Sequence, residues 1–433
     1  MGQVTGPGQA FAALGRGTGP RRSPTRPGRV TIVQPMRVLI CPDKFAGTLT
    51  AVEAAQAVAD GWHETAPADE LICRPIADGG PGFVEVLHAS IGGDLIEVDT
   101  TDPLGRPVLG AVLLTGDASA TAYVESAQAC GLHLVEPGER DPKVTSSYGL
   151  GALITAAIEN GARRVVIGLG GSATNDGGAG LLAALGAVGL DAAGEPLAPG
   201  SAALTTCTSL ALAAATQIPA VAQSVDGVGL QAGAGLVPAG VELIAATDVD
   251  NPLTGLHGAS AVYGPQKGAT SQDVTLLDAA LANWAAVLER ELPGCPAKLA
   301  ELPGGGAAGG LGAAILALGG TVSSGIDLVR ELTGLDEVLE NADLVITGEG
   351  SFDHQSLRGK AISGLAGAAR DLGVPCVVLA GRVTTGRREQ GAAGVTEAYA
   401  LVDHFGSVDL ALAEPARGLR ELATRLARQW SRR

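Results

Sequence analysis

The chain has 433 residues, of which 46% are hydrophobic and only 3% aromatic, and it carries 64 glycines and a formal net charge of −16. This length allows two or three domains, and a core of Ala, Val, Leu and Ile with many glycine turns is typical of an α/β fold. The acidic charge disfavours nucleic acid and anionic membranes as partners, and neither a membrane-length apolar run nor a signal-peptide pattern occurs, so we expect a cytoplasmic protein.

Residues 1–35 differ in composition from the rest of the chain. They are rich in Gly, Pro and Arg, contain five arginines and no acidic residue, and lack hydrophobic periodicity. We therefore predict a disordered N-terminal extension. It could be a transit peptide or lie upstream of a natural start at Met36, and the lack of a clear amphipathic helix favours the start at Met36.

Two βα units are predicted next. An apolar run at residues 37–41 is followed by a loop with Lys44 and by a helix whose capping box begins at Thr50. A second strand at residues 71–76 precedes Asp78 and two glycines. Lys44 and Asp78 are therefore expected just beyond the carboxyl ends of strands.

The middle of the chain has a different pattern. Short alternating strands begin near residue 90 and indicate a second domain. A strand at residues 164–168 then runs into a loop of glycines and small polar residues. Because glycines reach φ > 0 and expose their amides to an anion, we predict that this loop binds phosphate. The predicted binding residues are Gly170, Gly171, Ser172, Ala173, Thr174 and Asn175.

Two other interpretations of this loop stay open. Gly168, Gly170 and Ala173 fit the dinucleotide-binding fingerprint, with Asp191 near the position of a ribose contact. That fold requires the helix to begin inside the fingerprint, whereas the apolar helix here begins near Ala179. The loop could also be a tight structural turn.

The last part of the chain returns to alternating strands and helices. A strand at residues 242–246 precedes Asp248, and Lys267 lies in a later loop that lacks Walker A spacing. The glycine-rich residues 303–312 indicate either a hinge or close helix packing. Another strand at residues 344–347 leads into a loop that carries the acidic residues Glu349 and Asp353, and a helix follows from Lys360.

This alternation indicates a parallel sheet, and its similarity to the first units predicts one domain interrupted by another. Five loops then carry an acid or a lysine among glycines at the edge where α/β folds bind ligands. Carboxylates for Mg²⁺, lysines for phosphate and an amide-rich loop are the parts that phosphoryl transfer needs. We place the interrupted domain at residues 36–80 and 300–433, and the inserted α/β domain, with the glycine loop, at residues 81–299.

From Met36 to about Leu426 the chain resembles bacterial glycerate kinases, which share the Gly-Leu-Gly-Gly-Ser-Ala-Thr-Asn-Asp-Gly-Gly sequence found here at residues 168–178. The resemblance implies ATP- and Mg²⁺-dependent phosphorylation of D-glycerate. It also implies a discontinuous flavodoxin-like domain with an inserted α/β domain. Ala46 and Pro81 depart from the family, which often has lysine and glutamate there, so Lys44 becomes the better candidate in the first loop. We favour 2-phosphoglycerate as the product.

We assign roles on this basis. Asp248 is expected to accept the substrate hydroxyl proton, with Lys44 and Asp78 as further catalytic residues. Lys267 and Lys360 are expected to join the glycine loop in binding nucleotide. The expected Mg²⁺ ligands are Glu349 and Asp353. A nucleotide- or dinucleotide-binding oxidoreductase or sensor without phosphoryl transfer is the alternative, and the sequence leaves a homo-oligomer open.

Overall fold

The computed structural model describes residues 34–45, 47–116, 120–212, 236–354, 356–357 and 361–431. Within these residues the strands are β1 Arg37–Ile40, β2 Glu70–Cys73, β3 Asp94–Thr101, β4 Pro107–Leu114, β5 Thr121–Glu125, β6 Arg164–Gly168, β7 Ala187–Leu190, β8 Ser209–Leu212, β9 Glu242–Ala246, β10 Thr321–Ser323, β11 Leu344–Phe352, β12 Cys376–Val383 and β13 Glu397–Ala400. The predicted extension and Lys360 lie outside the described residues, as does Ala46.

The described helices include two that begin where the sequence predicts, after Thr50 and at Ala179. In chain order the helices are α1 Ala51–His63, α2 Phe83–Ile91, α3 Ala127–Cys130, α4 Gly149–Glu159, α5 Ala179–Ala184, α6 Ala259–Tyr263, α7 Ser271–Glu291, α8 Leu311–Ala317, α9 Gly325–Thr333, α10 Leu335–Glu340, α11 Ala361–Asp371, α12 Arg387–Ala392, α13 Leu401–Phe405, α14 Val408–Ala413 and α15 Pro415–Trp430. Capping boxes at Thr50 and Thr270 fix the starts of α1 and α7, because each threonine hydroxyl accepts the N–H of the residue three positions on. No described helix is long and apolar enough to cross a membrane.

A five-stranded parallel sheet combines the two ends of the chain. Its order is β13-β12-β11-β1-β2. Successive residues of β1 point to opposite faces, where Val38 and Ile40 join one apolar cluster and Leu39 joins another. The chain leaves β1 toward β2 on one side and returns through β11 on the other. In open α/β sheets, a ligand-binding crevice forms at such a reversal of strand order, outside the carboxyl ends of the strands.

The second sheet is built from the middle of the chain. Its order is β10-β9-β6-β5-β4-β3, with β3, β4 and β5 antiparallel to their neighbours in turn and β5, β6, β9 and β10 parallel. β7 and β8 form a separate antiparallel pair. The α/β fold with parallel sheets is confirmed. The domain boundaries stay a prediction, and sheet membership would place the second boundary after residue 323, because β10 pairs with β9.

The strand predicted at residues 344–347 is longer in the structure, which corrects the prediction that Glu349 lies in a loop. β11 pairs with β12 as far as Phe352 and Val383. Its glycines serve this pairing, because a Cβ at Gly348 would lie 2.0 Å from the carbonyl oxygen of Leu379. Glu349 is therefore held by a strand, where its backbone is paired with Ala380 of β12.

Candidate active site

Lys44 lies among carboxylates at the carboxyl ends of β1 and β2. Its Nζ is 3.5 Å from Asp43 Oδ1 and 3.7 Å from Asp78 Oδ1. Burial alone would lower the pKa of Lys44, but Asp43 and Asp78 more than offset it and the pKa is raised. A lysine that stays charged in a partly buried crevice is suited to meet the phosphates of a nucleotide.

Glu349 adds a third carboxylate to this crevice, from β11. Burial raises its pKa to about 7; a hydrogen bond from Ser356 acts in the opposite direction, and nearby Asp43 and Asp353 raise the pKa further. Burial likewise raises the pKa of Asp43 to about 6, against the effect of Lys44. Asp43, Asp353 and Lys44 therefore lie close enough to Glu349 to act on its carboxyl electrostatically.

The carboxylates suit Mg²⁺, which takes few protein ligands, better than they suit a metal whose ligands are all protein side chains. Among the described residues no group of three or more His, Cys, Asp or Glu side chains is arranged to hold a metal. Mg²⁺ is usually bound through one or two carboxylates together with water and substrate phosphates, so such a cage is not required. Glu349 Oε1 is buried without a hydrogen-bond partner in the described part of the chain, which leaves a carboxylate oxygen for a cation.

The loop with Asp78 packs directly on the glycine loop after β6. A Cβ at Gly170 would lie 2.6 Å from Gly80 Cα, and a Cβ at Gly80 would lie 2.9 Å from Asp78 Oδ1 and 3.5 Å from Lys44 Nζ. Only glycine allows both backbones to approach this closely. The structure therefore brings Lys44, Asp78 and Gly170 together, although they follow strands of two different sheets.

The predicted phosphate loop has an exposed part and a buried part. Gly171 is exposed at φ +63°, with Pro81 beside it. The rest of the predicted set is buried, namely Ser172, Ala173, Thr174 and Asn175. The Ala173 N–H donates to the carbonyl of Cys130 at 2.7 Å, so it is used inside the protein. Direct contact of residues 172–175 with a ligand stays a prediction, and the accessible backbone is that of the two glycines.

The glycine-rich residues 303–312 pack against the far side of this loop. A Cβ at Gly309 would lie 2.0 Å from the carbonyl oxygen of Thr174, and one at Gly310 would lie 2.5 Å from Gly177 Cα. Of the two interpretations offered by the sequence, these contacts favour close packing over a hinge.

Lys267 is located inside the protein. Its side chain is 2% exposed, and its Nζ donates to Ser172 Oγ at 2.9 Å and to the carbonyl oxygen of Thr174 at 2.6 Å. Burial lowers its pKa to about 7. A direct contact with nucleotide stays a prediction, but the observed contacts favour an action on the loop.

Asp248 lies at the start of α9. Its Oδ1 accepts the Ser324 hydroxyl at 2.6 Å and its Oδ2 accepts the N–H of Ile326 at 3.0 Å. These bonds support the role of a helix cap. Gly325, which follows Ser324 and begins α9, packs against the Asp78 backbone. A Cβ at Gly325 would lie 2.6 Å from the Asp78 carbonyl oxygen. Asp248 is thus coupled to Asp78 through α9, and its assignment as the base stays a prediction.

Glu125, at the end of β5, was not singled out from the sequence. Its Oε2 accepts the N–H groups of Gly82 and Val84 at 3.0 and 3.3 Å, which ties the start of α2 to the six-stranded sheet. Burial raises its pKa to about 7, and Lys44 acts in the opposite direction. Its sequence does carry a signal, because Glu125 is an acidic residue at the carboxyl end of a strand, the pattern that also identifies Asp78.

The dinucleotide interpretation finds no support in the structure. The helix after the glycine loop begins at Ala179, as predicted, rather than inside the fingerprint. Asp191 Oδ1 accepts the N–H groups of Ala193 and Glu195, within its own turn. Lys360, predicted to bind nucleotide, falls outside the described residues.

Comparison with known proteins gives consistent matches over most of the chain. The Glycerate kinase family matches residues 38–431. The chain is 40% identical to a glycerate kinase of Bacillus subtilis over 85% of this chain and 90% of that protein. It is 38% identical to a glycerate 2-kinase of Escherichia coli over 86% and 92% of the two chains. A crystal structure assigned as a glycerate kinase 2 from Salmonella typhimurium LT2 superposes with a TM-score of 0.71 at 37% identity, covering 91% of this chain and 98% of that one.

Proposed function

The chain belongs to the glycerate kinase family and phosphorylates glycerate with ATP as the donor, and from this we propose that its substrate is D-glycerate and its product 2-phosphoglycerate. The observation that supports this site for the reaction is the convergence of Lys44, Asp78 and Gly170 at one crevice. Because the reaction uses ATP, we also propose that the protein acts in the cytoplasm.

The crevice offers a separate group for each requirement of phosphoryl transfer. Lys44 supplies positive charge to the phosphates, and the exposed amides around Gly171 supply hydrogen-bond donors. Glu349 and Asp353 would hold Mg²⁺, which when bound neutralises charge on the phosphates of the nucleotide.

We propose that Asp78 takes the role of base that the sequence assigned to Asp248. Its side chain is 51% exposed and lies at the crevice, whereas both Asp248 oxygens bind the start of α9. In the step, the glycerate hydroxyl oxygen bonds to the γ-phosphorus, the bond from that phosphorus to the ADP oxygen breaks, and the hydroxyl proton passes to Asp78.

The test is an assay of the full chain with ATP, Mg²⁺ and D-glycerate, coupled to detection of ADP. Enolase added alone converts 2-phosphoglycerate but not 3-phosphoglycerate, so it reports the position of phosphorylation. Lys44→Met should lower kcat/KM by at least about 100-fold because it removes charge from the transition state. The matched control is Lys298→Met, since Lys298 is 74% exposed and pairs with nearby Glu301.

No ADP formation with either enantiomer of glycerate would contradict the proposed activity. Full activity of Lys44→Met would instead reject the crevice as its site.

A further inference from the structure

Lys267 is almost fully buried, which is unusual for a lysine. It ends the short turn Pro265–Lys267, and its side chain is almost completely buried beneath the glycine loop. The following Gly268 has φ +101°, and a Cβ there would lie 2.2 Å from the carbonyl oxygen of Arg140. This contact fixes the backbone from which Lys267 extends.

The ammonium joins two points of the loop. It donates to Ser172 Oγ and to the carbonyl oxygen of Thr174, on either side of Ala173. These are two of the three hydrogen bonds that an ammonium can donate. Because Lys267 is buried and these two donors bind the loop, its observed contacts are with the loop from within.

Among the described residues, the hydrogen bonds of the Lys267 ammonium go to neutral oxygens and not to a carboxylate. Asp176 lies near enough to favour the charged form of Lys267, yet its carboxylate accepts the N–H and hydroxyl of Ser147 at 2.8 and 2.9 Å and the N–H groups of Gly178 and Gly180. A buried cation held mainly by neutral oxygens is costly, which calls for a function that compensates for the cost.

We propose that Lys267 is a positioning residue that holds the glycine loop from within, so that the exposed amides around Gly171 point toward the nucleotide phosphates. The inference rests on the proposed function, because it takes the loop to bind ATP. It differs from the expectation that Lys267 itself contacts the nucleotide. Its contribution passes through Ser172 and Thr174, and the anion is received on the outer side of the loop.

The test compares Lys267→Met, Ser172→Ala and the double variant, all in the full chain. Methionine keeps an unbranched side chain of similar length without the charge, and alanine removes only the hydroxyl that accepts from Lys267. Binding of a non-hydrolysable ATP analogue with Mg²⁺ is measured by calorimetry, and KM for ATP and kcat are measured separately. Lys298→Met is the control, and the melting temperature of each variant reports its folding.

Each single variant should weaken binding of the analogue and raise KM for ATP by about tenfold or more, while kcat at saturating ATP changes by less than about threefold. The double variant should bind no more weakly than Lys267→Met, because both substitutions remove the same hydrogen bond, from Lys267 Nζ to Ser172 Oγ. Wild-type affinity in Ser172→Ala, or additive losses in the double variant, would overturn the proposal. If Lys267→Met does not fold, Ser172→Ala alone still decides it.

These results are separable from the proposed function. Binding of the analogue to the wild-type chain tests the loop even if glycerate is not turned over, whereas turnover by the wild-type chain tests the function whatever the variants show.

Discussion

At the scale of one residue, the hydrogen bonds of Asp248 disfavour a role for its carboxylate as the catalytic base. Both of its oxygens bind the start of α9, so we expect Asp248→Asn to cost about 1 kcal/mol of stability, as loss of a helix cap does. The kcat should fall by less than about tenfold, through displacement of Asp78. Exposed Asp250, two residues on, provides the control Asp250→Asn.

Thermal unfolding and steady-state kinetics on both variants check this expectation. A positioned base contributes about 10²- to 10⁴-fold to rate. A loss of that size in Asp248→Asn without a lower melting temperature would return the base role to Asp248.

Glu125 should make the stability of the protein depend on pH. Burial raises the pKa of its carboxyl to about 7 in the folded protein, above its value in the unfolded chain. Between these two pKa values the folded protein keeps a proton that the unfolded chain has lost, so this group's contribution to the free energy of unfolding falls as pH rises toward 7. A glutamine side chain does not titrate. Over this pH range the free energy of unfolding of Glu125→Gln should therefore fall by up to about 3 kcal/mol less than that of wild type.

Chemical denaturation of wild type and Glu125→Gln between about pH 5 and pH 8 measures the effect. Exposed Glu159 gives the control Glu159→Gln, whose curve should follow that of wild type. Parallel curves for wild type and Glu125→Gln would show that the Glu125 carboxyl titrates normally.

At the scale of elements, the contact between the loops after β2 and β6 shapes the crevice. A valine at position 171 would be strained at φ +63°, and its Cβ would lie 2.8 Å from Pro81 Cγ. We expect Gly171→Val to raise KM for ATP at least about tenfold, because the side chain also blocks approach to the amides.

Gly194→Val is the matched control. Gly194 has φ +80° with nothing near its Cβ position, so the variant has backbone strain without obstruction at the crevice. Melting temperatures and KM values for both variants separate the two effects. Equal KM values would reduce the loop at Gly171 to a structural turn.

At the scale of the whole molecule, the described core begins at Met36. Met36 is buried, and its backbone N–H donates to Asp69 Oδ1 at 3.0 Å. A chain that starts at Met36 should therefore keep the melting temperature, kcat and KM of the full chain. A truncated protein that aggregates or loses most of its activity would show that residues 1–35 contribute to folding. Whether the molecule is a homo-oligomer stays a prediction, which light scattering on both chains would test.

The sequence alone determined the α/β class, the parallel winding and the starts of α1 and α5. These follow from local patterns: apolar runs such as β1 bury both faces of a parallel strand, and the capping box at Thr50 acts within one turn of helix. It also located Lys44 and Asp78 beyond strand ends, since the end of an apolar run is visible without any tertiary contact.

Only the tertiary structure decided what those residues touch. Asp248 meets Ser324 across 76 positions of the chain, and Lys267 meets Thr174 across 93, so neither the cap nor the buried ammonium has a local signal. The glycines of β11 resemble a loop in sequence, but the strand beside them requires their small size. Burial and long-range contacts arise only when distant segments of the chain pack together. The charged residues could therefore be located from the sequence, whereas their contacts depended on the fold.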